Sequence, residues 1–356
     1  MKQKTVMVLA GGTGGHVFPA LAVAEVWRQQ GLNVEWIGTA HGIENRVVPP
    51  QGIVLHRLAV RGLRGRSKLS LLLGLVPVFK AWWNALQLMR RVDVVLALGM
   101  GGYVTGPAGI AARMVGKPLV LHEQNAVAGL SNRWLAPWAT LVLTGFPGVF
   151  KDRPQQRTVG NPVRVSLQRR PAEPLRKENT IALLVLGGSQ GADALNRRLP
   201  VILREFATEL QGVELQIRHQ CGEKHLSSTQ VAYQAFNAQV EVEAFIDDMA
   251  QAYAAADLVI CRAGALTVAE LAAAGKASIL VPFPFAVDDH QTRNAEYLVQ
   301  AGAAFLCPQE EMEQRLPQYL AQLCVAEFRQ VMAERAYALA MPQAARVIAQ
   351  LCLELI

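Results

Sequence analysis

The sequence predicts an α/β chain built as two doubly wound parallel-sheet domains, and three observations carry that reading. Its 356 residues are roughly twice the usual domain length. Residues 6–16 (VMVLAGGTGGH) and 182–192 (ALLVLGGSQGA) open both halves alike, with an unalternating apolar run, then Gly-Gly-Thr/Ser-x-Gly, then a helical pattern. Strand-like runs also alternate with helical patterns along both halves, which is the signature of parallel sheets covered by helices.

In the first half the strand-like runs fall at 6–10, 34–37, 92–98, 119–122 and 140–144, with a helical pattern over 19–30. In the second they fall at 182–186, 215–220, 240–243, 258–261 and 278–282, with helical patterns over 194–210, 266–274 and 291–301. The break between halves is expected near Gly160-Asn161-Pro162. The polar, proline-bearing stretch 168–179 then reads as a loop before the first strand of the second domain.

Composition narrows the class. Hydrophobic residues make up 51% and charged residues 18%, which excludes a disordered, collagenous or coiled-coil chain. The five cysteines at 221, 261, 307, 324 and 352 contain no CxxC, so neither a disulfide framework nor a zinc site is expected, and a reducing cytosol fits. The apolar stretch 69–79 is shorter than the ~20 residues a spanning helix needs, and the run 6–10 is too short for a signal peptide. Charge is unevenly spread: 18 Lys+Arg against 6 acids up to Gly160 give +12, and the remainder carries −5. Between Glu44 and Asp93 there are nine basic residues and no acid, a field suited to an anionic surface or substrate.

The first glycine loop, Gly11 to His16, leaves backbone N–H groups at a helix N-terminus, where phosphate binds. It lacks the third glycine of a dinucleotide fingerprint, and the end of the second strand near Gly38-Thr39-Ala40 lacks the ribose-binding acid, so an NAD enzyme is not expected. Neither loop has the Gly-Lys-Ser/Thr of a P-loop. The plain alternative is a tight turn without a ligand, but four glycines in five positions exceed what a turn requires. A third cluster, Leu98-Gly-Met-Gly-Gly-Tyr-Val-Thr-Gly106, adds a second backbone nest at the same sheet edge, making Gly101, Gly102 and Tyr103 candidates for a diphosphate.

In the second half, 257–275 reads as strand, Arg-Ala-Gly turn and a helix ended by a glycine cap at Gly275. Glu270 is the only charge in that helix. It lies ~7.5 Å along the axis from Ala265, about the distance from a nucleotide's phosphates to its ribose hydroxyls. Either Glu270 is a solvated helix position or it accepts hydrogen bonds from a ribose, and the second reading is preferred.

The motifs GGTGGH, GMGGY, HEQN, VGNPVR, GGSQGA, FIDDMA and CRAGALTVAE together resemble the MurG family of bacterial N-acetylglucosaminyltransferases over nearly the whole chain. The resemblance implies a GT-B fold of two Rossmann-like domains facing a cleft. Residues 1–162 would form the acceptor and membrane-associated domain, with a C-terminal helix over about 342–356 packing back on it, and 163–341 the donor domain. It implies inverting transfer of N-acetylglucosamine from UDP-N-acetylglucosamine to undecaprenyl-pyrophosphoryl-MurNAc-pentapeptide. Carried over by motif, Thr13, Gly14, Gly15 and Asn125 match contacts near the donor sugar and phosphates, and Arg164 a donor-nucleotide contact. Ser189 matches the phosphate-binding serine and Ile246 a backbone contact to uracil. Ala265, Leu266, Thr267, Val268, Ala269 and Glu270 match the helix that receives the donor, and Gln291 a contact to the sugar hydroxyls. Other cell-wall synthesis proteins are implied as further partners, at the cytoplasmic face of the inner membrane.

Inversion needs one base. His16, at the end of the first loop, carries the side-chain type that titrates near neutral pH, and is the leading candidate. Its alternative is a neutral donor to a phosphate or a helix-capping partner. Glu123 is either the second candidate base or a residue that orients a neighbour. The pairs Asp247-Asp248 and Asp288-Asp289 lack a third hard ligand, so no metal is assigned, and no cofactor is expected. Competing readings are a sugar-nucleotide epimerase, a diacylglycerol glycosyltransferase or a non-catalytic nucleotide-binding scaffold. Nucleic-acid binding is not expected, for want of a recognition motif. Finally, Leu69, Leu72, Leu73, Val76, Phe79 and Trp83 recur at helical spacing, interrupted by Gly74 and Pro77 and flanked by Arg61, Arg64, Arg66, Lys68, Lys80, Arg90 and Arg91. This predicts either a buried helix under a basic rim or, preferred, peripheral attachment to an anionic membrane surface.

Overall fold

The computed structural model describes residues 4–60, 68–150, 156–164, 167, 180–188, 191–210, 212–236 and 238–356. The chain divides into two compact units, Met1–Val163 with Met341–Ile356, and Arg164–Ala340.

The first unit runs β1 (Thr5–Ala10), α1 (Gly14–Gln29), β2 (Asn33–Thr39), α2 (Glu44–Val47), β3 (Val54–Leu58), α3 (Lys68–Arg91), β4 (Val94–Gly101), α4 (Thr105–Met114), β5 (Leu119–Glu123), α5 (Leu130–Leu135), β6 (Leu141–Thr144) and β7 (Gln156–Thr158). Its strands pair throughout in parallel, in the order β3-β2-β1-β4-β5-β6-β7. A parallel sheet buried on both faces needs apolar residues on both, which is why β1 reads as one continuous run. Val6, Val8 and Ala10 pack with Val17, Ala20, Val23 and Trp27 of α1 on one face. Met7 and Leu9 pack with Ala85 and Leu86 of α3 and Ala108 and Ala111 of α4 on the other. The two fully buried tryptophans keep their indole N–H groups paired, Trp27 donating to the Ala349 carbonyl (3.1 Å) and Trp36 to that of Ala10 (2.7 Å).

One expectation fails here: α3 is a continuous helix of 24 residues through Gly74 and Pro77, with no interruption. A proline inside a helix removes one hydrogen bond and crowds the preceding turn, at about 3 kcal/mol. The inward face, with Ala81, Ala85, Leu86 and Met89 in the core, offsets that cost and holds the helix onto the sheet.

The second unit runs β8 (Thr180–Leu186), α6 (Asp193–Glu209), β9 (Glu214–Gln220), α7 (Leu226–Tyr233), β10 (Gln239–Glu243), α8 (Met249–Ala255), β11 (Leu258–Cys261), α9 (Ala265–Ala274), β12 (Ala277–Leu280), α10 (His290–Val299), β13 (Phe305–Leu306), α11 (Met312–Cys324) and α12 (Ala326–Ala338). The parallel order β10-β9-β8-β11-β12-β13 repeats the plan of the first sheet. The last helix, α13 (Ala344–Leu353), belongs to the first unit, where Ile348, Ala349 and Cys352 join the core beside α1. In both sheets the strand order reverses direction beside the first strand, β1 against β4 and β8 against β11. Ligands of open α/β sheets bind outside the carboxyl ends of the strands at such a point, and both glycine loops lie there.

Candidate functional site

In the first unit the loops after β1 and β4 touch. A Cβ on Gly102 would lie 2.3 Å from the Gly11 carbonyl oxygen, and both Gly101 (φ 99°) and Gly102 (φ 86°) hold left-handed backbone, so glycine is required twice over. A Cβ on Gly101 would also meet the His16 ring at 2.8 Å, so the bare backbone there is what lets that imidazole settle. Thr105 at the start of α4 ties the loops together, its hydroxyl lying 3.0 Å from the Leu9 carbonyl and 2.7 Å from that of Gly101. Thr13 is the N-cap of α1, with Gly14 and Gly15 in its first turn. Tyr103 is exposed beside them.

Gly15 and Gly106 differ from those glycines. Each sits in the first turn of a helix without a left-handed φ, and a Cβ would meet little at Gly15 and nothing within 4 Å at Gly106. Nothing in the chain demands glycine at either, although each lowers helix stability by about 1 kcal/mol relative to alanine.

His16 is half-buried at the mouth of this edge, its Nδ1 2.9 Å from Gln124 Oε1. Gln124 Nε2 in turn lies 3.0 Å from His122 Nδ1 and 3.1 Å from the His122 carbonyl, and His122 Nε2 lies 2.9 Å from the Gly160 carbonyl. Asn161 anchors the middle of the chain by donating to the Gln124 carbonyl (2.9 Å). Burial pushes the His122 imidazole down to about 4, only partly countered by its bond to Gly160, so it is neutral at neutral pH.

Two glutamates frame the edge. Glu123, 2% exposed, accepts four hydrogen bonds: from the Asn125 N–H and side-chain amide on Oε1 (3.0 and 3.2 Å), and from the Gly129 N–H and Asn132 amide on Oε2 (2.9 Å each). Such a saturated carboxylate organises the 124–132 loop, Asn125 included, and would have to surrender a donor to act as a base. These four bonds favour its orienting reading over its base reading. Sequence reasoning missed Glu44. It is wholly buried and reaches back from α2 to accept from the Gly12 N–H (3.0 Å) and from the Thr39 N–H and hydroxyl (2.6 Å each). Gly11, Gly38 and Gly42 leave the room it fills. An acid does stand behind the second strand, but it is spent on the glycine loop rather than offered to a ribose.

In the second unit α9 begins at Gly264 and is closed by Gly275 in left-handed conformation (φ 58°), with Ala265 to Glu270 along its first two turns at the carboxyl edge of β11. Glu270 is half-buried and, among the described residues, accepts one hydrogen bond, from the Tyr253 hydroxyl to Oε2 (3.1 Å). Desolvation raises its carboxyl to about 7, opposed by Tyr253 and by the positive charge of Arg164. Arg164 itself is exposed, and Ile246 is buried in the loop before α8. The Gln291 Oε1 accepts from the Phe283 N–H (2.9 Å), holding the turn after β12. Arg262 braces the same turn through the carbonyls of Val281 (3.1 Å) and Pro282 (3.0 Å). Ser189 lies outside the described residues.

One aspartate of each pair is engaged within the chain. Asp248 caps α8 through the Gln251 N–H (2.9 Å) and Asp289 accepts from the Thr292 hydroxyl (2.7 Å). Among the described residues no group of three or more His, Cys, Asp or Glu is arranged to hold a metal.

Residues 6–144 match the glycosyltransferase family 28 N-terminal domain, and residues 182–351 match its C-terminal domain. A protein of Pseudomonas fluorescens (strain SBW25) is 49% identical over 354 residues, 98% of each chain, and bears the name UDP-N-acetylglucosamine--N-acetylmuramyl-(pentapeptide) pyrophosphoryl-undecaprenol N-acetylglucosamine transferase. Among solved structures, Acinetobacter baumannii MurG superposes with a TM-score of 0.86 at 41% identity, covering 99% of both chains. A putative UDP-N-acetylglucosamine 2-epimerase from Listeria monocytogenes also superposes (TM-score 0.67, 97% of this chain and 95% of that one), but at 13% identity it shares the fold alone. With both halves matched, the fold is that of the GT-B glycosyltransferases, and the near-complete alignment at close to half identity leaves one assignment: this chain belongs to the MurG family of glycosyltransferase family 28.

Proposed function

We propose that the protein transfers N-acetylglucosamine from UDP-N-acetylglucosamine to the muramoyl C4 hydroxyl of undecaprenyl-pyrophosphoryl-MurNAc-pentapeptide, with inversion at the anomeric carbon. The observation that carries this is the 49% identity, over 98% of each chain, with a transferase whose name states that reaction. In a single displacement the C4 oxygen attacks the anomeric carbon, the bond from that carbon to the diphosphate breaks, UDP departs, and the hydroxyl proton passes to a base. His16 is that base. It sits at the carboxyl edge of the first sheet and has a second ring nitrogen beyond the one turned to Gln124.

The donor belongs to the second unit. Ala265, Leu266, Thr267, Val268 and Ala269 offer the diphosphate and sugar a helix N-terminus, which favours negative charge. Glu270 accepts the ribose hydroxyls, Arg164 adds positive charge, Ile246 meets the uracil through its backbone, and Ser189 and Gln291 take phosphate and sugar hydroxyls. Thr13, Gly14, Gly15 and Asn125, in the first unit, match family motif positions near the donor sugar and phosphates. Gly101, Gly102 and Tyr103 receive the acceptor diphosphate. The glycines at 15 and 106, which the chain's own packing does not need, fit a ligand lying directly on backbone N–H groups.

The lipid-linked acceptor requires a membrane-facing surface, and exposed apolar side chains of the first unit support that reading. Val76, Phe79 and Trp83 of α3 are exposed, as are Ile110 and Met114 of α4, Leu130 and Trp134 (76%) of α5, and Trp138. The three helices pack in sequence, and Lys80, Arg113 and Arg133 stand exposed among these residues. Side chains of Leu69, Leu72 and Leu73, and residues Arg61, Arg64 and Arg66, lie outside those described. No described helix is long and apolar enough to cross a membrane. The exposed apolar and basic side chains of the first unit support peripheral attachment, which we place at the cytoplasmic face of the inner membrane, with other cell-wall synthesis proteins as further partners. Anionic vesicles should therefore bind the protein in a salt-sensitive manner, and Phe79→Ser with Trp134→Ser should weaken that binding without lowering the melting temperature. Binding indifferent to salt and lipid charge would contradict this.

The reaction itself is tested by supplying labelled UDP-N-acetylglucosamine with and without a short-chain muramoyl-pyrophosphoryl lipid. Label should enter a β-linked disaccharide lipid only when acceptor is present. Conversion of the sugar nucleotide without acceptor would point to an epimerase instead.

A further inference from the structure

His122 and Gln124 are, respectively, 0% and 1% exposed, and neither can touch a substrate from where it lies. Both are polar, both lie in a buried strand end that an apolar residue would fill more cheaply, and together they connect His16 to the backbone at Gly160. Their hydrogen bonds permit one assignment of protons.

The Gly160 carbonyl can only accept, so His122 Nε2, 2.9 Å away, carries the hydrogen. Because the ring is neutral, its Nδ1 then bears a lone pair. Gln124 Nε2 faces that lone pair at 3.0 Å and the His122 carbonyl at 3.1 Å, two acceptors that use both amide hydrogens. Turning the amide over would press its oxygen against a carbonyl and a lone pair among buried side chains, where an unmade hydrogen bond is most costly. The amide oxygen must therefore face His16, and His16 Nδ1, 2.9 Å from it, must donate. Asn161, donating to the Gln124 carbonyl, and Gly101, whose missing side chain admits the His16 ring, hold the two ends of the contact in register.

We propose that His122 and Gln124 are positioning residues that fix His16 as its Nδ1–H tautomer, leaving Nε2 as the only nitrogen able to take the acceptor proton. This rests on the reading of His16 as the base. It also gives a role to the buried histidine of the HEQN motif and to the Gly160 carbonyl, which form the fixed end of a chain of three hydrogen bonds that terminates in one free lone pair. In a transferase of this design an amide does what a carboxylate does beside a catalytic histidine elsewhere. It sets the tautomer but adds no negative charge to a site that must hold a diphosphate.

Two substitutions and one spectrum test the proposal. Gln124→Met keeps the size of the side chain and removes all three of its polar contacts, whereas Gln124→Glu, held as the neutral acid in that buried site, restores an acceptor toward His16 Nδ1 and one donor toward His122 Nδ1. With tautomer control, kcat of Gln124→Met falls on the order of 10²- to 10⁴-fold while KM for donor and acceptor holds, and Gln124→Glu recovers at least about tenfold of the loss. A packing role predicts the reverse order, since a buried carboxylate is worse tolerated than methionine. Long-range ¹⁵N–¹H correlation of histidine-labelled wild-type protein above neutral pH should show His16 protonated on Nδ1, and that measurement stands even if Gln124→Met fails to fold. Protonation on Nε2 in wild type overturns the proposal. So does a folded Gln124→Met with mixed tautomers and undiminished kcat, which removes His16 as the base while leaving the transferase reading intact. Loss of the transferase reading would show separately, as wild-type protein that transfers nothing.

Discussion

Glu44 and Glu123 in the first unit and Glu270 in the second are buried or half-buried glutamates at the carboxyl edge of a parallel sheet, yet they are built to opposite ends. Glu44 accepts three hydrogen bonds and Glu123 four, all from the chain itself. Glu270 accepts one, from Tyr253, and desolvation raises its carboxyl to about 7. A carboxylate has room for about four donors, so Glu123 is filled and Glu44 nearly filled by the chain itself, whereas among the described residues Glu270 keeps most of its capacity. The contrast separates scaffold from proposed reader: the well-satisfied carboxylates fix the loops of the first unit around His16, and Glu270 has capacity left for the hydroxyl groups of a ligand.

The largest effect expected from breaking this division is at His16. Under the proposed division, with the chemistry on the first unit and the donor on the second, His16→Ala should lower kcat by about 10²- to 10⁴-fold and leave UDP affinity by calorimetry unchanged. A matching loss of UDP affinity would place His16 in donor binding and undo the division. Next is the scaffold. Glu123→Ala strands the Asn125 and Gly129 N–H groups, and with the Asn132 amide also released it should cost about 3 kcal/mol of stability in chemical denaturation. A stable variant that has lost only turnover would restore Glu123 as a candidate base.

Smaller effects sharpen the reader. Glu270→Ala should weaken UDP binding by about 1.5–3 kcal/mol at pH 8, as for a hydrogen-bonded charged acceptor. In wild type the pH dependence follows from the raised carboxyl. Between 4.5 and about 7 the folded chain holds a proton that the unfolded chain has released, so the stability contributed by this group falls as pH rises through that window. Donor affinity runs the other way, because ribose hydroxyls need the ionised form, and UDP should bind severalfold more tightly at pH 8 than at pH 6. A flat affinity profile would mean that Glu270 does not meet the ribose.

What the sequence discloses divides along the same physical line. Strands such as β1, β4, β8 and β11 are legible because both their faces are buried and their apolar runs are unbroken. The edge strands β3, β7 and β13 escape notice because they are short and partly exposed, and carry residues such as His56, Arg57 and Gln156. Pro77 reads as a break because local propensity is visible in sequence, whereas the packing of Ala81 to Met89 that overrides it is not. Glu270 stands out as a lone charge in an apolar helix. Glu44 does not, since it lies five residues beyond the strand end where an acid would be sought, although it is the last acid before a stretch of 48 residues without one. Gln124 is hidden between two residues of more familiar chemistry, and Tyr253 gives no signal at all, because its value lies in a partner 17 positions away.

The contrast between completed and incomplete carboxylates is tested most directly by Glu270→Gln, with the melting temperature and UDP affinity measured on the same preparation at pH 8. The amide keeps an acceptor for Tyr253 and removes a desolvated charge, so the free protein should melt higher than wild type while binding UDP more weakly. If both stability and affinity fall together, Glu270 is scaffold like Glu44 and Glu123, and if affinity is unchanged, the donor is not read at this helix.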